Sequence, residues 1–142
     1  ELPKDGGTIE VWGDGLQTRS FLLVDECVEA TYRLVQSDFT GPVNIGSEEM
    51  VSINELVDIA AKVSGKKVEK NHIEGPLGVR GRNSNNDLIR EKLNWDYTMS
   101  LEQGIKKTYD WINHQMGNIP VVIQPEEKEK ITFVSRFMNW MN

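Results

Sequence analysis

A single cysteine, Cys27, leaves the chain no partner for an internal disulfide and fits a reducing compartment, the cytoplasm. It lies in a helical pattern, where it reads as a small buried hydrophobe and not as a reactive thiol. Only two histidines occur, His72 and His114, far apart and without a ligand set at metal spacing, so no metal is expected. Basic residues are the minority: 16 Lys and Arg against 22 Asp and Glu give a net charge of −6. That balance excludes a broad attraction to nucleic acid or to an anionic membrane surface. Apolar runs fall well short of the roughly 18 residues of a membrane span, and no signal-peptide pattern is visible. No serine sits in a strand-to-helix elbow, and no P-loop pattern occurs. Gly13-Asp14-Gly15 superficially resembles a glycine-rich nucleotide loop, but such a fingerprint needs three glycines between a strand and a helix. Here an extended pattern follows, so a tight turn is the better reading.

What is present is enough for one compact core. The start, Glu1-Leu2-Pro3 without a methionine, is that of a piece cut from something longer. Residues 8–13 alternate as a strand, the Gly13–Gly15 turn reverses the chain, and Arg19 to Val24 is a second extended run. Asp25 is expected to cap a helix to about Gln36, with Val24, Cys27, Val28, Thr31, Leu34 and Val35 at helical spacing. Gly41 and Pro42 end it, and Val43 to Gly46 reads as a short buried strand. Ser52 and Glu55 form a capping-box pattern for a helix bearing Ile53, Leu56, Val57, Ala60 and Val63 on one face, stopped by Gly65. Lys67 to Ile73 is another strand candidate, and 74–86 reads as loop. A short helix over about Asn86 to Leu93 follows. Ser100 then caps a longer one carrying Leu101, Ile105, Thr108, Tyr109 and Ile112. The spacing divides the chain into a portion over 1–116 and a tail over 117–142, where Ile131, Val134, Phe137, Met138 and Met141 suggest an amphipathic helix.

Against this background two polar segments stand apart. Gln17-Thr18-Arg19-Ser20 lies at the mouth of a strand, and Gly78-Val79-Arg80-Gly81-Arg82-Asn83-Ser84 lies in a long loop. A guanidinium presents a planar fork of donors that matches carboxylate or phosphate oxygens in pairs. Glycines on either side of Arg80 allow close backbone approach to a ligand. Two such segments favour an anionic ligand held by both. A lone surface arginine usually has no such role.

These residues also carry a resemblance. Trp12 to Phe21, Val24 to Val28 and Pro42 to Ser47, in this order, resemble the C-terminal half of extended short-chain dehydrogenase/reductases, the NAD-dependent nucleotide-sugar epimerases, dehydratases and decarboxylases. Glu48 to Ser52, Gly75 to Ser84 and Leu88 to Trp95 are most similar to the epimerases that act on GDP-mannose. Enzymes that decarboxylate UDP-glucuronate share the Gln-Thr-Arg-Ser-Phe turn and remain an alternative, as does a non-catalytic dimerisation module built from an epimerase piece. The resemblance covers roughly residues 8–115. It implies an α/β fold, the substrate-binding C-terminal portion of such an enzyme, with a small mixed sheet, helices and no Rossmann half. Gln17, Thr18 and Arg19 would line the nucleotide and diphosphate, Arg82 would clamp the diphosphate from the opposite loop, and Arg80 would brace that loop. NAD would be bound by an N-terminal half outside this chain. The family's Tyr-x-x-x-Lys pair is not found after Tyr32, Tyr97 or Tyr109, so no catalytic residue is assigned. The partners implied are a nucleotide diphosphate-sugar and a second copy in a homodimer. The helix over 25–36 and the strand over 43–46 would join the Rossmann sheet, and without it would leave an apolar face open.

Overall fold

The computed structural model of the protein describes residues 5–76 and 78–117. The elements are β1 (Gly6–Trp12), β2 (Thr18–Ser20), α1 (Val24–Gln36), β3 (Met50–Ser52), α2 (Ile53–Ser64), β4 (Lys67–Ile73), β5 (Gly81–Arg82), α3 (Asp87–Leu93) and α4 (Leu101–Gln115). The chain divides into two units, Glu1–Tyr109 and Asp110–Asn142; the core and the site described below lie in the first. The expected tail helix lies outside the described residues.

The strands form two small sheets. β1 pairs with β4 in parallel, Gly6 opposite Lys67 through Trp12 opposite Ile73. β2 is the centre of the second sheet, antiparallel to β3 and parallel to β5. The Gly13–Gly15 turn therefore carries the chain from one sheet to the other and does not close a hairpin. Its glycines sit in the left-handed region, φ 71° at Gly13 and 67° at Gly15, where a side chain would be strained. The second extended run is shorter than expected, ending as a strand at Ser20.

α2 begins on the expected capping box. Glu55 N donates to Ser52 Oγ at 3.2 Å, and Ser52 N donates to a Glu55 carboxylate oxygen at 2.7 Å. Ser52 Oγ also donates to Glu55 Oε2 at 2.8 Å, and these two Ser52 donors hold the Glu55 carboxyl below the usual range, the backbone N–H first and the hydroxyl second. Gly65 closes the helix at φ 68°.

α1 departs from the expectation in two ways. Its N-cap is Leu23, without a side-chain cap bond, and Asp25 instead accepts from Lys107 Nζ at 2.8 Å. Of the apolar side chains at helical spacing only Leu34 is half-buried. Val24 is 67% exposed and Val35 56%, and Cys27 is exposed as well. The buried residues of α1 are Ala30 and Glu26.

The core is built from Ala30, Ile89 and Trp95, with Leu22, Val43, Ile45, Leu93 and Tyr97 packed against them. It joins α1, α3 and the segment over 42–47, which is not a strand. That segment's backbone pairs with side chains in place of a neighbouring strand: Asn86 Nδ2 donates to Gly46 O at 2.7 Å. Glu26 supports the turn before α4, its Oε1 accepting from Thr98 N at 2.6 Å, Thr98 Oγ1 at 2.9 Å and Met99 N at 3.0 Å. Glu49 accepts from Leu101 N at 2.7 Å, satisfying one free donor at the start of α4. On α4, Leu101 is buried and Ile105 and Tyr109 half-buried, but Thr108 and Ile112 are exposed.

Candidate functional site

The two arginine segments, some sixty residues apart in sequence, meet as adjacent strands. Thr18 lies opposite Gly81 and Arg19 opposite Arg82, and Thr18 N donates to Arg80 O at 2.9 Å. β5 falls in what the sequence presents as loop. Its two residues pair only because β2 offers a free edge. Register partners on parallel strands share a face, and alternate residues along a strand share one too. Gln17, Arg19, Arg80 and Arg82 are thus grouped on one face. Thr18 is on the other, its Oγ1 3.0 Å from where a Cβ on Gly81 would sit. Arg82 is a neighbour of Arg19, not its opposite number across a gap.

The grouping concentrates unpaired positive charge. Among the described residues, Arg33 pairs with Glu29, and Arg90 pairs with Glu48, Asp87 and Asp96. Among the same described residues Arg19, Arg80 and Arg82 find no ion-pair partner; Arg19 donates to Thr18 O at 2.7 Å. In a chain with an excess of carboxylates, these three guanidiniums have no carboxylate partner among the described residues, and a guanidinium fork matches the oxygens of a phosphate or carboxylate.

Both segments are held from behind. Ile53 N donates to Gln17 O and Asn54 N to Gly15 O, each at 3.1 Å, so the first backbone donors of α2 hold the loop. Asn54 Nδ2 adds a bond to Asp14 O at 2.9 Å. Its Oδ1 meets His72 Nε2 at 2.9 Å, which makes that nitrogen the protonated one. A Cβ on Gly15 would lie 2.2 Å from Asn54 Oδ1, so the close approach requires glycine.

Behind β5, Asn86 is fully buried. It accepts from Ser84 Oγ at 2.7 Å, and its N–H donates to Glu48 Oε1 at 3.0 Å. Arg90 spans Glu48 and Asp96, donating to Glu48 Oε2 at 2.5 Å and to Asp96 Oδ2 at 2.8 Å. Arg90 hydrogen bonds are the main cause holding the Glu48 and Asp96 carboxyls below the usual range, joined at Glu48 by the Asn86 N–H. The same bonds push Arg90 up. Lowered carboxyls contribute stability that is complete above their ordinary values and is lost as pH falls through the depressed ones. Thermal melts are therefore expected to drop as pH falls below about 4, and more shallowly in a Glu48→Gln/Asp96→Asn variant. An equally steep drop in that variant would show that the network does not contribute.

Asp14, Gln17, Gly78 and Arg80 line a cleft of about 200 Å3. Gln17 Nε2 donates to Trp12 O at 3.3 Å, while Gln17 Oε1 is buried without a hydrogen-bond partner. Arg80 thus lines the cleft, while its main-chain oxygen ties its loop to β2 through Thr18 N.

A dinucleotide cofactor does not fit the glycine turn. Gly13–Gly15 leads into β2 and not into a helix whose N-terminus could meet a diphosphate. Among the described residues no group of His, Cys, Asp or Glu could hold a metal ion, and no helix is long and apolar enough to cross a membrane.

A two-stranded parallel sheet, a small mixed sheet and the helices around them define the class as an α/β fold. No protein-family model matches the chain. Its sequence is 57% identical over 107 residues to GDP-mannose 3,5-epimerase of Arabidopsis thaliana, covering 75% of the chain and 28% of that enzyme. UDP-glucuronic acid decarboxylase 6 of the same plant is 33% identical over 101 residues, 70% of the chain and 29% of the enzyme. Among solved structures, UDP-glucose 4-epimerase of Thermotoga maritima with UDP-glucose superposes with a TM-score of 0.73 at 25% identity, over 77% of the chain and 36% of that enzyme. UDP-glucuronic acid 4-epimerase of Bacillus cereus, in complex with UDP-glucuronic acid and NAD, gives 0.68 at 28%, over 75% and 35%. The chain is similar to the C-terminal portion of the extended short-chain dehydrogenase/reductases that act on nucleotide sugars, and it resembles GDP-mannose 3,5-epimerase far more than it does the UDP-sugar enzymes. It spans little more than a quarter of the length of the curated relatives it matches.

Proposed function

We propose that the chain is the substrate-binding portion of an NAD-dependent nucleotide-sugar epimerase that acts on GDP-mannose. The observation that carries this reading is the group of three arginines, Arg19, Arg80 and Arg82, on one face of β2 and β5 and without an ion-pair partner among the described residues. Arg19 and Arg82, side by side in register, would take the oxygens of the diphosphate. Gln17 would extend the site towards the nucleotide, and Thr18 would hold the two strands together through its main chain. Such an anchor fixes the substrate at its unreactive end and leaves the sugar to be presented to chemistry elsewhere.

That chemistry, and the NAD it needs, would belong to a separate Rossmann portion. The exposed apolar face of α1, with Val24, Val28 and Val35, supports its docking there, in the cytoplasm. Calorimetry of the 142-residue chain is expected to show GDP-mannose and GDP bound with dissociation constants on the order of 0.1–1 mM. No heat with either at millimolar concentration would end the proposal. The same α1 face favours a second reading, a dimerising module. Light scattering showing a dimer, together with no nucleotide binding, would select it.

A further inference from the structure

We propose that Asn86 is a positioning residue for the anion site: from the core it fixes Ser84, and through Ser84 it aims the fork of Arg82. The inference rests on the proposed function and adds the means by which an exposed arginine is ordered before its ligand arrives.

Asn86 is fully buried, and an amide in that position costs free energy unless both of its ends are bonded. By position it is the N-cap of α3, where an asparagine oxygen ordinarily accepts from the first helical turn. It makes no such bond. Its two ends turn elsewhere: Nδ2 donates to Gly46 O, and Oδ1 accepts from Ser84 Oγ, each at 2.7 Å. An apolar side chain would fill the same space without that demand, and an asparagine bonded to its own helix would cap α3. What this arrangement alone supplies is a link from the core to the end of β5.

That end is where the strand needs one. Arg82 is the last residue of β5, whose register pairs are Thr18–Gly81 and Arg19–Arg82. Residues 78–83 are exposed, and Ser84 is the first beyond them to be half-buried. It is closely seated, since a Cβ on Gly46 would lie 2.6 Å from Ser84 Cβ. Asn83 folds back on it, its Oδ1 accepting from Ser84 N at 2.8 Å. Arg82 is therefore held on one side by β2 and on the other by Ser84. A guanidinium fork meets oxygens in pairs only when its direction is set, and a site ordered in advance avoids the cost of ordering on binding.

Substituting Asn86 itself disturbs the core, so the test cuts the link at its outer end. Inorganic pyrophosphate is titrated by calorimetry into the 142-residue chain and into Ser84→Ala and Gly46→Ala, with melting curves to show that each is folded. Amide hydrogen exchange at Gly81 to Asn83 is read by NMR. Ser84→Ala is expected to weaken pyrophosphate about fivefold and to speed exchange at Gly81 to Asn83 but not in α2. Gly46→Ala, which displaces Ser84 and removes no donor or acceptor, should weaken pyrophosphate as well. In an Arg82→Lys background, where no fork remains to be aimed, Ser84→Ala should cost less than about twofold. Unchanged affinity in Ser84→Ala, or the same loss with and without Arg82→Lys, would assign Asn86 to the fold alone and leave the arginine anchor standing. No heat with pyrophosphate in wild type would overturn the proposed function, and this inference with it.

Discussion

Arg82→Ala is expected to weaken GDP and pyrophosphate binding by about tenfold to a hundredfold, with no loss of thermal stability. The magnitude follows from the loss of charge-assisted hydrogen bonds to phosphate, worth about 1.5–3 kcal/mol. Stability should not change, because the exposed Arg82 side chain makes no contact that the fold uses; β5 pairs with β2 through the main chain. Arg82→Lys keeps the charge but not the fork, so only part of the loss should be recovered. Arg33→Ala is the control, since Arg33 is already paired with Glu29. Calorimetry showing the same affinity in Arg82→Ala and wild type would remove Arg82 from the site.

The second large effect is on folding. Glu26→Ala is expected to destabilise the first unit by about 3 kcal/mol, a fall in melting temperature on the order of 10 °C. Glu26 is 8% exposed, and one of its oxygens gathers two backbone donors and a hydroxyl from the turn at Thr98 and Met99. Alanine leaves those donors without an acceptor and opens space beneath the turn. Glu26→Gln retains a carbonyl oxygen in the same place and should cost less. A Glu26→Ala melt within a degree or two of wild type would show that the turn is held by other contacts.

Glu26 also shows where pattern reading stops. Asp25 has the sequence appearance of a helix cap, yet it pairs with Lys107, and its neighbour performs the structural work. Nothing local separates the two carboxylates. The distinction depends on which one faces Thr98, 72 residues on. The apolar stripe of α1 misleads in the same way. Periodicity reveals a face that disfavours water but not what covers it, and here Val24 and Val35 stay exposed while Ala30 is buried. By contrast, the Ser52–Glu55 box and the Gly65 stop of α2 are legible because donors, acceptors and backbone angle all lie within a few residues. The strand over 43–46 failed because strand formation needs a pairing edge, which its apolar residues alone cannot supply.

By itself, the sequence determined the identity of the arginine segments, the helices with local caps, and the likeness to nucleotide-sugar enzymes. All of these are carried by residue type and short spacing. Only the tertiary structure decided that Arg19 and Arg82 are register neighbours, that Arg80 lines a cleft with Asp14 and Gln17, and that none of the three arginines meets a carboxylate among the described residues. β5 is two residues long and has no propensity signal of its own. It exists because β2 offers a free edge on which it can pair, and a contact between chain segments sixty residues apart leaves no local pattern to read.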